Sequence, residues 1–188
     1  MANRNTQGFG LVAAGALGQT SSTHGQGKYF IDAASTTSLF NGGAVASASG
    51  YIVDGQTANA PVIGTLNGIF FNAATTLKPT FANFYNQPIT PANSEDITAF
   101  VNDNPTQQYV VATDATAAQS VFLESFDMNA SAGSTTTGKS TSTLDIADTG
   151  ADDRQYRLLR SAEDPENQDL TEAFASVVVV ANLIELQS

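Results

Sequence analysis

Pro61-Val62-Ile63-Gly64-Thr65-Leu66-Asn67-Gly68-Ile69-Phe70-Phe71 is an apolar run, an Asn-Gly pair and a second apolar run. Asn-Gly tolerates the positive φ values of a tight two-residue turn, so this order predicts a β-hairpin turning at Asn67-Gly68. The same grammar extends outward. Tyr51-Ile52-Val53 runs into Asp54-Gly55, a second hairpin-type signal, and Asn41-Gly42-Gly43 reads as a turn. Tyr29-Phe30-Ile31 is a candidate strand. On the other side, Lys78-Pro79, Gln87-Pro88 and Thr90-Pro91 disfavour a central strand, because proline removes a ladder donor. Phe81, Phe84 and Tyr85 lie among these prolines and are expected to be packed down.

Asn93 with Asp96 resembles an N-cap with an acidic first turn and predicts one or two helical turns, ended by Asn102-Asp103-Asn104-Pro105. Strands resume at 108–112 and 121–126. Leu144 and Ile146 share one strand face, and Tyr156 and Leu158 another. Asp164-Pro165 opens a short turn or helix through Phe174. The final run, Val177 to Ile184, is apolar on both faces and is expected mid-sheet, covered on both sides. The result is an all-β fold: a single small barrel or sandwich of about eight short strands. It is preceded by an extended N-terminal arm over residues 1–27, leaving 28–188 as the β-domain. The arm reading rests on glycines at 8, 10, 15, 18, 25 and 27 and the absence of periodicity. Phe9, Leu11, Val12 and Leu17 are its apolar anchors, with Arg4 before them, and it is expected to fold onto a neighbouring subunit, a flexible tail being the alternative.

Composition narrows the function. Of 188 residues only 13% are charged, and the formal net charge is −11. A surface of small neutral residues suits lateral packing, since burying a hydroxyl or amide costs less than burying a charge. Seven basic residues against eighteen acidic ones disfavour nucleic acid and membrane surfaces as partners. The absence of cysteine excludes disulfides, thiolate metal sites and thiol catalysis. Neither a signal peptide nor a transmembrane run is expected.

Few residues are arranged for chemistry. His24, the one histidine, sits in a polar stretch with no acid nearby in sequence, a poor start for a triad. Asp148 to Asp153 and Glu163 to Asp169 are acidic and loop-like but lack the alternating ligands and terminal Glu of a calcium loop. We read both as solvated loops, with a bound cation as the alternative. Arg154, Arg157 and Arg160 are expected to pair with Asp152, Asp153, Glu163 or Asp164, a role compatible with contacts between subunits. No phosphate-binding loop, dinucleotide fingerprint or nucleophile elbow is present, and no cofactor is expected.

Four segments carry a family resemblance: Gly50 to Gly55, Ala60 to Asn72, Asp103 to Val111, and Phe174 to Asn182. In them the chain resembles the capsid decoration, or cement, proteins of tailed bacteriophages, particularly those of marine phages. The resemblance implies a small β-barrel or β-sandwich on the outer surface of an icosahedral virion shell. It implies contact with the major capsid protein and homo-oligomeric contact at local symmetry axes, acting as a clamp against internal DNA pressure. With no catalytic constellation in the sequence, no enzymatic activity is expected. The alternatives are a tail- or fibre-associated virion module that binds a host surface and, third, a small glycan hydrolase.

Overall fold

The computed structural model describes residues 2–18, 26–150 and 153–187. Over these the chain is all-β, with twelve strands where about eight are expected from sequence. They are β1 (Val12–Ala16), β2 (Gly27–Ile31), β3 (Ala44–Ala48), β4 (Tyr51–Asp54), β5 (Gly64–Asn72), β6 (Pro79–Ala82), β7 (Ile97–Asn102), β8 (Gln107–Ala112), β9 (Ser125–Asn129), β10 (Thr143–Gly150), β11 (Tyr156–Ser161) and β12 (Ser176–Ala181). They form two antiparallel sheets. The first has the order β1-β8-β12-β11-β9-β10, and the second β2-β7-β5-β3-β4, with β6 added alongside β5.

Each sheet buries its own apolar cluster. In the first, alternate residues point inward: Tyr109 and Val111 from β8, Val177 and Val179 from β12, Tyr156 and Leu158 from β11, Phe126 and Met128 from β9. Thr113, just past β8, bridges Leu144 in β10, so the sheet curls until its β10 edge meets the end of β8. In the second sheet Ile31, Val45, Ile52, Leu66, Ile69, Ile97, Ala99 and Val101 do the same, with Leu39 and Tyr85 closing the end. β12 sits between β8 and β11 with Val178 and Val180 buried on its other face, as its two-sided apolar run predicts. Each such valine contributes about 1.5–3 kcal/mol by leaving water.

The Asn67-Gly68 hairpin does not form. β5 continues through it, pairing with β7 on both sides: Thr65 with Asn102 and Leu66 with Val101, then Gly68 with Phe100 and Phe70 with Thr98. The register breaks between Leu66 and Gly68, so Asn67 is the extra residue of a β-bulge. Asn41 Nδ2 holds its carbonyl at 2.7 Å. The tight turn lies instead at Ser49 and Gly50, whose φ values of 53° and 85° join β3 to β4. Nor does Asp54-Gly55 turn a hairpin: the chain leaves β4 there to reach the first sheet.

Residues 93–100 also differ from expectation. A 3-10 turn over Ala92–Ser94 gives way at once to β7, because Ile97, Ala99 and Val101 repeat with the period of a strand. The strand expected at 121–126 begins only at Ser125, after Leu123 takes a φ of 70°. The last strand stops at Ala181. Residues 164–174 form turns, not a helix.

The N-terminal residues lie on the chain's own body. β1 pairs with β8 at the edge of the first sheet. Asn3 Nδ2 donates to the carbonyls of Asp169 and Ala173, at 3.0 and 2.9 Å, and the Asn5 amide donates to Asn167 Oδ1 at 2.7 Å. The expected boundary after residue 27 falls inside β2, which starts at Gly27.

Candidate interaction face

The outer face of the second sheet gathers phenylalanines from four neighbouring strands: Phe30 of β2, Phe100 of β7, Phe70 of β5 and Phe81 of β6. Strand alternation puts them there. Each lies next to a buried aliphatic residue (Ile31, Ala99, Ile69) or, for Phe81, on a short edge strand. Phe70 and Phe81 are cross-strand partners with ring centroids 5.5 Å apart. Phe81 also reaches across β5 to stack on Phe100, at 5.4 Å and 11°.

Gly68 permits that reach. It is the residue of β5 opposite Phe100 and presents no side chain between the two rings. A Cβ there would stand 3.1 Å from the Ala82 carbonyl oxygen. Lys28 lays its ammonium 5.4 Å over the Phe30 ring, a cation–π contact.

These rings face water. Phe81 is 71% exposed and Phe30 43%, and Leu77, in the turn that joins β5 to β6, is 72% exposed. Single exposed apolar residues are ordinary, but three rings in mutual contact, with Phe30 beyond Thr98 on the same face, mark an interaction surface. A shallow groove of 410 Å³ runs beside the Phe81–Phe100 stack, its polar lining supplied by Gln26, Asn67 and Asn83. On the same sheet the Tyr29 hydroxyl donates to Asp103 Oδ2 at 2.8 Å, and burial together with that carboxylate pushes its pKa up to about 12. The contacts joining the two sheets leave this face open. They run through β3, the 55–60 loop, Val62 with Ile184, and residues 137–140 with Asn41 and, at the edge of the groove, Asn83, whose Nδ2 donates to the Thr137 carbonyl at 2.9 Å.

The residues expected at an interface are scattered. Arg4 forms an exposed pair with Glu166 at 2.6 Å. Phe9 is half-buried, and Leu11, 3% exposed, belongs to the first sheet's core. Val12 and Leu17 are about half exposed, at 51% and 45%, along the β1 edge. Arg154 reaches beyond its sequence neighbours, across to β9. Its guanidinium meets buried Asp127 of β9 at 3.3 Å and also binds Asn59. Arg160 donates to Gln108 on β8 at 3.1 Å, and Arg157 is half-buried in β11.

His24 lies outside the described residues, as do the side chains of 148–152. The other acidic loop is tied up internally. Asp164 accepts from the Asn167 side chain at 2.8 Å and the Glu166 amide at 3.1 Å, and these bonds hold its carboxyl below the usual range. Thr171 does the same to Asp169, whose pKa falls to about 2. Among the described residues no group of three or more His, Asp or Glu side chains is placed to hold a metal ion.

Phe81, expected from the sequence to be packed down, is instead 71% exposed; Phe30 and Phe70 are read there only as residues of apolar runs, and Phe100 only as part of the expected helical turns. The available signal was that β2, β5 and β7 carry phenylalanines on the face opposite their buried aliphatic residues. Compared with protein-family models, curated proteins and solved structures, the chain shows no match to any of them.

Proposed function

We propose that this chain is a non-catalytic structural protein of a virion, which decorates the outer surface of an icosahedral capsid and cements it. In this reading it binds the major capsid protein and its own neighbours. The observation that supports it best is the solvent-facing aromatic stripe of Phe30, Phe70, Phe81 and Phe100 on a charge-poor sheet. A chain that keeps such a face in water gains by covering it, at roughly 25 cal/mol for each Å² of apolar surface removed. A protein that binds only the assembled lattice shifts the shell toward its intact state by mass action, and repetition over the lattice multiplies modest contacts. Nucleic acid and membrane are not partners in this account.

The test is co-sedimentation of the purified chain with intact shells and, separately, with dissociated capsid protein. Binding to the assembled shell alone is expected. Equal binding to both, or to neither, contradicts the proposal. A tail or fibre location predicts a few copies per particle, which quantitative mass spectrometry of the virion separates from a lattice-scale number.

A further inference from the structure

We infer that the aromatic face of the second sheet is closed by the same face of a second copy of this chain. The inference rests on the packing role proposed above and names the partner of that face. Its warrant is the distribution of charge. Residues 27–102, which supply the whole second sheet, carry Lys28 and Lys78 against Asp32, Asp54, Glu95 and Asp96, a balance of −2. Residues 103–187 carry fourteen carboxylates against Lys139, Arg154, Arg157 and Arg160, a balance of −10. The molecule therefore has an acidic half and a nearly neutral aromatic half.

Two copies of a chain with net charge −11 repel each other. Contact through the second sheet is the arrangement that keeps the acidic halves apart while removing the exposed rings from water. A two-fold axis through the face makes the contact self-complementary, each copy offering the same stripe. The exposed parts of Phe30, Leu77, Phe81 and their two half-buried ring neighbours amount to roughly 400 Å² per copy, taking ~200 Å² for each large side chain. That is about half of the ~800 Å² a stable interface uses on each partner. The polar rim of Gln26, Asn67 and Asn83 lies where the remainder is needed. The Lys28 ammonium sits over its own Phe30 ring, so its charge is partly satisfied before any partner arrives.

The experiment is sedimentation equilibrium of the intact chain, with Phe81→Asp as the disrupting variant. Leu123→Asp serves as the control, because Leu123 is equally exposed, at 66%, but lies in the loop before β9. The wild-type chain is expected to dimerise at concentrations on the order of 10 µM. Phe81→Asp is expected to weaken the dimer by at least ~10-fold with an unchanged circular dichroism spectrum, and Leu123→Asp to leave it intact. Added salt is expected to preserve or tighten the dimer, since it screens repulsion between the acidic halves.

A wild-type chain that stays monomeric overturns the inference, as does a Phe81→Asp chain that dimerises normally. A dimer that salt dissociates also overturns it, pointing to ionic head-to-tail contact. Shell binding separates this inference from the reading beneath it. A monomer that still coats shells removes only the pairing. A Phe81-dependent dimer that binds no shell removes only the capsid role.

Discussion

Gln155 is fully buried at the junction of the two sheets, and its amide meets three carbonyls of the 55–60 loop. Nε2 donates to Gly55, Thr57 and Ala60 at 2.7, 3.1 and 3.0 Å, while Oε1 accepts from the Met128 amide at 3.2 Å. Beside it Asp127 accepts from the amides of Asn59 and Gln155, both at 3.1 Å, and from Arg154. Gln155→Leu keeps the volume but strands these buried groups, at about 1–3 kcal/mol each. A loss of at least about 3 kcal/mol in urea denaturation is expected.

The tyrosines set an alkaline limit. Burial, then the Asp103 hydrogen bond, raises Tyr29 to about 12, and burial raises Tyr109 and Tyr156 as well. The folded state thus favours the neutral phenols. Their stabilisation is full below the unfolded value near 10 and is lost as pH climbs through the folded values. Thermal melts are expected to hold up to about pH 10 and fall steeply from there toward pH 12. At this scale the sequence showed which groups are polar but not their partners. Asp127 lies 27 residues from Arg154, and only the pairing of β9 with β11 brings them together.

Strand identity was legible where burial is two-sided or strictly alternating, as in β12 and β11. It failed where a local signal competed with the sheet. Asn67-Gly68 has ideal turn chemistry, yet β7 offers a continuous edge on both sides of it, and the pair becomes a bulge. Asn93 and Asp96 suggest a helix start, yet the inward alternation of Ile97, Ala99 and Val101 prevails. The aromatic face was hidden for a related reason: a phenylalanine on a strand reads as core until the number of covering layers is known. Gly64 is the most constrained point of this region. A Cβ there would stand 2.0 Å from the Asn102 carbonyl oxygen, a backbone atom that cannot swing aside. Gly64→Ala is therefore expected to force β5 from β7 and cost about 3 kcal/mol, read as a lower urea midpoint. An unchanged midpoint would mean that the two strands lie farther apart than described.

For the whole molecule, the two sheets divide the labour. The first is the acidic half and carries the edge strand β1. The second is nearly neutral and turns its rings outward. The all-β class was legible from turn spacing and composition. The division into two separately cored sheets was not, because nothing local shows that β7 and β8, adjacent in sequence, part into different sheets at Asp103-Asn104-Pro105. In the capsid-cementing role proposed above, the rings of the second sheet are the surface that holds a neighbour. The most direct measurement is the temperature at which purified shells disrupt, with and without the chain at saturation. The account predicts a fixed, lattice-scale number of bound copies and a higher disruption temperature. Saturation with no change in that temperature, or no saturable binding at all, would contradict it.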